Sequence, residues 1–292
     1  MQRSRQQIPR EGGLTTRIKR IGVFDSGVGG LTVLSHLSQR IPTADFIYLG
    51  DLARVPYGTR SLEVVARYTG EGLSYLLRQG VDALVIACHT ASTWYHLHRN
   101  IEIAVPVFDV LQPATVEAAT RFGDGRIGVI GTRATIEGGV YEKLLQQLSV
   151  TGEIVTAACP LFVPLVEEGW VSGPIVELVV ARYLKDMCSR RIDALILGCT
   201  HYPLLRPVIE AYVGSDVEII EAGPPVSARV RTWITSDSEA PPEQQAGSVR
   251  LCFTAPLGSE SRETLASFGL IQNWTVETVN LSDQERKDGA RG

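Results

Sequence analysis

The feature of this sequence that most constrains its fold is an internal repeat. Residues 79–90 (QGVDALVIACHT) resemble residues 190–201 (RRIDALILGCTH), and in both segments an apolar stretch ends at a cysteine. A shorter pair, residues 20–26 (RIGVFDS) and 126–132 (RIGVIGT), recurs at a similar offset. Two pairs at nearly equal offsets indicate one duplicated structural unit. If the two units face each other, their cysteines lie on opposite sides of a cleft.

Strands and helices are predicted to alternate along the chain. Short continuous apolar runs are typical of buried parallel strands, and the segments between them have apolar residues three and four positions apart, as amphipathic helices do. The predicted strands are 21–24, 46–49, 83–87, 105–110, 127–130, 194–197 and 217–220, and the predicted helices are 31–40, 62–79, 114–121, 141–148, 175–190 and 205–213. This alternation predicts an α/β fold of two pseudo-symmetric domains with mainly parallel sheets and an active site in the interdomain cleft.

The predicted domain boundaries follow from the extent of the repeat. The chain after Ala222 is too short for a third unit, so we expect it to return to the first domain with a helix at 226–234 and strands at 249–254 and 274–279. The first 20 residues carry six basic side chains and no apolar run, which argues against a secretory signal. The sequence predicts a disordered leader at 1–20, a first domain at 21–109 plus 221–282, a second domain at 110–220 and a frayed tail at 283–292.

Composition limits the partners and the compartment. The formal net charge of −4 does not suggest a nucleic-acid-binding protein, and no apolar run reaches the roughly 20 residues that span a bilayer. We therefore expect a small-molecule substrate, with no nucleic acid and no membrane as partner. Five scattered cysteines, an odd number, indicate free thiols in a reducing compartment such as the cytoplasm. Three of them, Cys159, Cys188 and Cys252, lie outside the repeated strand ends and are predicted to be structural.

Cys88 and Cys199 are the candidate catalytic thiols. If a helix begins just after each, its unpaired amides and dipole favour an anion there, either a thiolate or a substrate carboxylate. Thr90 and Thr200 add a hydroxyl beside each thiol. The alternative is that both cysteines are small buried hydrophobes, although matched positions at two strand ends argue against it. Two thiols facing one substrate could remove a proton from one side and return it from the other.

Polar residues follow the other predicted strands. Asp25 and Ser26 begin a glycine-rich loop, where the Asp25 carboxylate could pair with a substrate ammonium or orient a thiol, or simply cap the next helix. Tyr57 and Gly58 lie in a second loop that can contact a small ligand. Thr132 ends a strand of the second unit, so we expect it to face the same ligand.

Glu167 and Glu168 end an unusual apolar stretch. We expect one of the two carboxylates to point inward and hold His201, the alternative being that both face solvent. The remaining histidines, His36, His96 and His98, are predicted to be surface residues.

A zinc site is the metal alternative. Its four tetrahedral ligands would be Cys88, His89, Cys199 and His201, but their spacing lacks the close cysteine pairs of zinc fingers and ribbons. The sequence therefore predicts no metal.

These motifs together strongly resemble bacterial glutamate racemases of the aspartate/glutamate racemase family. The resemblance covers about residues 21–281 and rests on FDSGVGGLTVL (24–34), YLGD (48–51), RVPYGT (54–59), CPLFVPLVEEG (159–169) and LGCTHYPL (197–204), of which CTHYP is the most specific. It implies a cofactor-independent racemase, with two α/β domains related by pseudo-two-fold symmetry, that supplies D-glutamate for peptidoglycan.

The resemblance also implies roles for individual residues. It assigns Cys88 and Cys199 as the acid/base thiols, with Cys199 the base toward L-glutamate and Cys88 toward D-glutamate. The implied auxiliary residues are Asp25, Glu167 and His201, and the implied substrate contacts are Asp25, Ser26, Tyr57, Gly58, His89, Thr90, Thr200 and His201.

His89 departs from the family, which usually has asparagine there. Next to Cys88 and a substrate carboxylate, a protonated His89 would favour both anions, so we expect glutamate binding to weaken as this histidine loses its proton. His89 is also the one feature that favours a racemase of another amino acid, such as aspartate. A non-catalytic ligand-binding or regulatory protein is the alternative from another class. The oligomeric state stays open, with a homodimer as one alternative.

Overall fold

The computed structural model describes residues 19–98, 101–237, 246–257 and 274–281. Its strands are β1 (Arg20–Asp25), β2 (Asp45–Gly50), β3 (Ala83–Ile86), β4 (Val107–Asp109), β5 (Ile127–Gly131), β6 (Ile154–Ala158), β7 (Ala194–Gly198), β8 (Glu218–Ile220), β9 (Val249–Phe253) and β10 (Trp274–Thr278). Its α-helices are α1 (Leu31–Arg40), α2 (Leu62–Arg78), α3 (His89–Leu97), α4 (Leu111–Phe122), α5 (Arg133–Glu137), α6 (Val140–Gln147), α7 (Phe162–Glu167), α8 (Pro174–Ser189), α9 (Arg206–Val213) and α10 (Gly223–Asp237). Short 3-10 helices lie at Leu52–Arg54, Tyr57–Thr59 and Tyr202–Leu205.

The strands form two parallel sheets, one in each domain. The first sheet has the order β10-β9-β2-β1-β3-β4 and the second has the order β6-β5-β7-β8. The order β2-β1-β3-β4 in the first sheet therefore recurs as β6-β5-β7-β8 in the second. The strand pairing agrees as well. Val23 of β1 pairs with a residue of β2 on one side and of β3 on the other, and Val129 of β5 pairs in the same way with β6 and β7. The predicted α/β fold with two pseudo-symmetric domains is confirmed.

The chain returns to the first sheet after the second is complete. Strand β9 pairs with β2, β10 pairs with β9, and α10 packs against α1. Of the predicted leader, residues 1–18 lie outside the described residues, as does the predicted tail at 283–292. The predicted leader included Arg20, but this residue begins β1, because it pairs with Asp45 of β2, and its backbone N–H also donates to the Asp82 carboxylate at 2.8 Å.

Every predicted strand appears, and β6 is the one that the sequence analysis missed. Only Val155 of its five residues is buried, because β6 is an edge strand of the second sheet. A half-buried edge strand has no continuous apolar run, and the alternation is too short to detect.

An apolar cluster runs through both domains. Val85 and Phe108 of the first sheet belong to the same cluster as Val129 and Ile196 of the second, and α4 lies between them, in contact with α6, α10 and β7. A shared apolar interface restricts relative motion of domains. The carboxyl ends of both sheets are thereby held close together. No helix in the described ranges has the length and apolar character needed to cross a membrane.

Candidate active site

A cavity of about 70 Å³ lies where the carboxyl ends of the two sheets meet. It is lined by Ser26, Val55, Pro56, Tyr57, Gly58, Thr59, Cys88, His89, Thr90, Thr132, Arg133, Pro160, Val163, Pro164, Glu167, Cys199, Thr200 and His201. All the residues predicted to act on or contact a substrate line this cavity except Asp25. Both cysteines are among them, one from each domain.

Cys88 follows strand β3 and is the N-cap residue of α3. Its Sγ lies 3.6 Å from Ser26 Oγ. Burial and the charge of Asp25 raise the pKa of Cys88 to about 12, although the Ala91 amide at the helix start favours the thiolate. Burial thus opposes a thiolate at Cys88 more strongly than the helix start favours one, and the expectation that this helix start favours an anion, either a thiolate or a substrate carboxylate, stays a prediction. Cys88 is a protonated thiol near neutral pH.

Cys199 has a different environment. Its Sγ lies 3.8 Å from His201 Nδ1, and His201 Nε2 lies 3.4 Å from Glu167 Oε1. No α-helix begins directly after Cys199, contrary to expectation. A 3-10 helix begins at Tyr202 instead, and it contains Pro203, which cannot donate a backbone hydrogen bond. Glu167 is the carboxylate that contacts His201 although its side chain is 33% exposed, and Glu168 is exposed as well.

His201 is a buried histidine whose protonated form is favoured inside the site. Burial opposes its protonation, but hydrogen bonds with Cys199 and Glu167 and the charges of Cys199 and Asp25 outweigh this effect and raise the pKa of His201 to about 10. This places the positive charge of the His201 ring 3.8 Å from the Cys199 sulfur. The site therefore holds one neutral thiol, Cys88, and one thiol that is paired with a cation.

Asp25 lies behind the cavity and has no exposed surface. Its Oδ2 accepts hydrogen bonds from the amides of Gly27 and Gly30, both at 3.0 Å, and its Oδ1 accepts one from Thr200 Oγ1 at 3.4 Å. Burial raises the pKa of Asp25, whereas the His201 charge and the amides oppose that rise. The glycine-rich loop folds over this carboxylate, and the predicted contact with a substrate ammonium stays a prediction. Within the protein, Asp25 accepts a hydrogen bond from Thr200, and its charge favours the protonated form of His201.

His89 is a neutral wall of the cavity. Burial lowers its pKa to about 3, against the opposing charge of Asp109. Its ring stacks on Tyr141 with centroids 6.4 Å apart, and within the described residues neither ring nitrogen has a hydrogen-bond partner. Burial therefore opposes the protonated His89 that was expected to attract anions, and its effect on binding stays a prediction.

Three threonine hydroxyls join the two domains beside Cys88. Thr90 Oγ1 and Thr135 Oγ1 each lie 3.0 Å from Thr132 Oγ1, and Thr90 and Thr135 are 3.4 Å apart. Thr90 comes from the first domain and the other two from the second. The sequence analysis missed Thr135, although it lies three residues after Thr132, where a helix-capping hydroxyl meets its backbone partner.

Two glycines allow the domains to approach each other at the cavity. A Cβ on Gly29 would lie 2.6 Å from Thr200 Oγ1, and one on Gly58 would lie 2.5 Å from Thr132 Cβ. Both distances are shorter than van der Waals contact. Larger residues at either position would push the domains apart.

Arg133 also lines the cavity and was not predicted. Its side chain is exposed, and none of the described residues forms an ion pair with it. The only feature of the sequence that could have predicted its position is that it directly follows Thr132, at the start of α5. Arg133 adds a positive charge to the cavity mouth.

His96 was predicted to lie on the surface, and that prediction is wrong. Its side chain is 4% exposed, and Nε2 lies 2.9 Å from Asp109 Oδ1, which joins α3 to the end of β4. His36 is partly exposed and His98 is exposed, as expected.

All five cysteines are free, as predicted. In the described residues, no group of three or more His, Cys, Asp or Glu side chains is arranged to hold a metal ion. The alternative of a zinc site at Cys88, His89, Cys199 and His201 has no geometric support.

Comparison with known proteins agrees with this site. The model of the Asp/Glu/Hydantoin racemase family matches residues 26–228. A glutamate racemase from Aquifex pyrophilus is 45% identical to this chain, over 80% of this chain and 88% of the relative. A glutamate racemase from Exiguobacterium sibiricum is 43% identical, over 91% of this chain and 98% of the relative. The crystal structure of glutamate racemase from Francisella tularensis in complex with D-glutamate superposes with a TM-score of 0.80 at 34% identity, over 90% of this chain and 98% of that one. The chain therefore belongs to the Asp/Glu/Hydantoin racemase family and is an amino-acid racemase.

Proposed function

We propose that this protein interconverts L- and D-glutamate without a cofactor, by proton transfer between two cysteines. The observation that carries the proposal is the pair of unlike thiols on one cavity. Cys88 is held protonated by burial, whereas Cys199 is paired with His201. An acid and a base that face the same small cavity are the groups needed to invert a carbon that carries an acidic hydrogen.

The reaction with L-glutamate begins at Cys199. Its thiolate takes the α-proton, which forms an S–H bond and leaves the electron pair on the α-carbon. The Cys88 thiol then gives its proton to the opposite face of that carbon, so that D-glutamate forms and Cys88 becomes the thiolate. Proton exchange with solvent, or a turnover of D-glutamate in the other direction, restores the starting state. Atoms and charge balance, because one proton is taken and one is given.

His201 and its neighbours make the first step possible. The imidazolium stabilises the Cys199 thiolate, and Glu167 and the buried Asp25 keep the imidazolium protonated. The hydroxyls of Ser26, Thr90 and Thr200 line the cavity, and we propose that they exchange their present partners Cys88, Thr132 and Asp25 for substrate carboxylates. Preorganised dipoles of this kind stabilise developing charge without reorganising during the reaction.

The cellular role that fits this reaction is the supply of D-glutamate for peptidoglycan in the cytoplasm. Support comes from the free thiols, which suit a reducing compartment, and from relatives named glutamate racemase. We propose a homodimer as the state to test first by light scattering, because two-fold dimers are the commonest assemblies of soluble proteins.

The deciding experiment measures racemisation and isotope exchange together. Purified protein is incubated with L-glutamate, D-glutamate or L-aspartate in D₂O without pyridoxal phosphate, and the products are resolved by chiral chromatography and mass. Glutamate should reach a nearly equal mixture of enantiomers, with deuterium at the α-carbon of the product. Turnover of aspartate alone would replace the proposed substrate. Binding of glutamate without exchange would favour a non-catalytic protein.

A further inference from the structure

The segment between β2 and α2 makes a large part of the cavity wall. Val55, Pro56, Tyr57, Gly58 and Thr59 all line the cavity, yet this segment contains only two short 3-10 helices. Such a segment has few backbone hydrogen bonds of its own to hold it in place. Its position must therefore depend on side-chain contacts.

Those contacts converge on one buried carboxylate. Asp51 has no exposed surface. Its Oδ2 accepts hydrogen bonds from Tyr57 Oη at 2.5 Å and from Arg54 Nε at 2.6 Å, and its Oδ1 accepts one from Thr254 Oγ1 at 2.8 Å. A buried charge is stable only when it is paired and hydrogen-bonded, and here both oxygens are satisfied. Asp51 thus links the two 3-10 helices of the segment to each other and to Thr254, the residue after β9.

The partners of Asp51 are themselves fixed. Arg54 also pairs with Glu71 of α2, and its guanidinium lies 4.2 Å from the centre of the Tyr68 ring. The Tyr57 ring packs 5.7 Å from that same ring. Burial and the charge and hydrogen bond of Asp51 raise the pKa of Tyr57. Its hydroxyl is therefore a neutral donor that is already committed to Asp51.

This arrangement changes how Tyr57 contributes to the site. The phenol group donates to Asp51, so the part of Tyr57 that remains for the cavity is its ring and backbone. The next residue, Gly58, meets Thr132 of the second domain with no room for a side chain. The segment held by Asp51 is thus the place where the first domain contacts the second beside the two thiols.

We infer that Asp51 is a positioning residue for racemisation, which acts by holding the segment 54–59 against Thr132. This inference rests on the proposed function. Asp51 does not line the cavity, so it does not touch the substrate. The segment that returns to the first sheet also contributes to the site. Thr254, directly after β9, donates to Asp51 Oδ1, the carboxylate oxygen that Tyr57 does not contact.

The test compares carboxylates at the two ends of the same strand. Asp51→Asn keeps the size of the side chain but removes its charge and one acceptor. The matched control is Asp45→Asn at the start of β2, where Asp45 accepts hydrogen bonds from Ser248 N at 2.9 Å and Ser248 Oγ at 2.7 Å. Both carboxylates connect β2 to the segment around β9, but of the two only Asp51 is hydrogen-bonded to a residue that lines the cavity, Tyr57.

We expect Asp51→Asn to raise the KM for both glutamate enantiomers by about tenfold, the size of one lost hydrogen bond to a charged group. The kcat should fall by less than about threefold, since no group in the proton transfer changes. Tyr57→Phe should have a similar effect, and the double variant should be no worse than the poorer single variant, because the two groups act as a pair. Asp45→Asn should leave KM unchanged.

Hydrogen exchange provides a readout that does not depend on turnover. Amides of residues 52–59 should exchange about tenfold faster in Asp51→Asn and in Tyr57→Phe than in the wild type or in Asp45→Asn. Unchanged exchange in both variants would overturn the inference, and so would multiplicative KM effects, which would mean that the phenol contacts the substrate itself. An inactive wild type with the expected exchange pattern would contradict the proposed function and leave the positioning intact.

Discussion

Replacing Glu167 by glutamine should lower the pKa of His201 without unfolding the site. The pKa of His201 is raised from 6.5 to about 10, and at about 1.4 kcal/mol per unit the folded protein favours the imidazolium by roughly 5 kcal/mol. Cys199, Glu167 and Asp25 share that stabilisation. The Glu167 side chain is 33% exposed, so solvent screens its charge, and we expect its loss to lower the pKa of His201 by about 1.

The assay is an NMR titration of protein labelled at its five histidines, with the His201 signal assigned by its loss in His201→Gln. In Glu167→Gln the His201 midpoint should move down by about one unit. The matched control is Glu168→Gln, because this neighbouring carboxylate is exposed. Equal midpoints in the two variants would refute the reasoning, since Glu167 would then contribute nothing to the charge on His201.

The same pKa shift predicts how stability depends on pH. A histidine whose pKa is raised in the folded state stabilises the protein fully below its unfolded pKa, near 6.5, and the stabilisation is lost as pH rises through about 10. The free energy of unfolding, measured in urea, should therefore decline between these two values in the wild type. Glu167→Gln should show a smaller decline, whereas Glu168→Gln should match the wild type.

Three further predictions concern the cavity. Cys88→Ser and Cys199→Ser should each lower racemisation by at least about a thousandfold while impairing α-proton exchange unequally for L- and D-glutamate; wild-type racemisation in either variant would contradict the two-thiol mechanism. Because the pKa of His89 is lowered to about 3, binding of a non-reacting glutamate analogue should have the same pH profile in the wild type and in His89→Asn, and a difference near pH 6 would mean that the histidine is charged. Arg133→Gln should raise KM several-fold at low salt and less at high salt, whereas Arg182→Gln, an equal charge change on α8 outside the cavity lining, should not.

The sequence was enough to predict the fold and most of the cavity lining, for one physical reason. In parallel sheets the residues after each strand meet at one edge, so a duplicated pattern of apolar strands predicts that Ser26, Cys88, Thr132 and Cys199 converge. All four line the cavity. The positions of residues at strand ends follow from the pattern of apolar strands, because the end of an apolar run can be located from the sequence alone.

Side-chain partners could not be predicted in the same way. A carboxylate that caps a loop and one that binds a ligand look alike in sequence, so the hydrogen bonds from the glycine-loop amides to Asp25 could be seen only in the structure. The hydroxyl of Tyr57 donates to Asp51 and not into the cavity, and this depends on the conformation of the loop. His96 is buried because β4 brings Asp109 beside it. Each outcome depends on contacts between segments that sequence periodicity does not report.

The duplicated fold supplies symmetric positions, and the substitutions within it supply different chemistry. Cys88 and Cys199 follow equivalent strands, β3 and β7, so the backbone alone would make them equivalent thiols. The residue two positions after each is what differs: Thr90 forms part of a neutral hydroxyl cluster, whereas His201 carries a charge. A racemase needs geometric symmetry, because the two enantiomers present their α-hydrogens to opposite faces. The proposed mechanism also needs one thiol protonated while the other is not, and in this chain the surroundings of the two sulfurs differ through their neighbouring side chains and not through the strands that carry them.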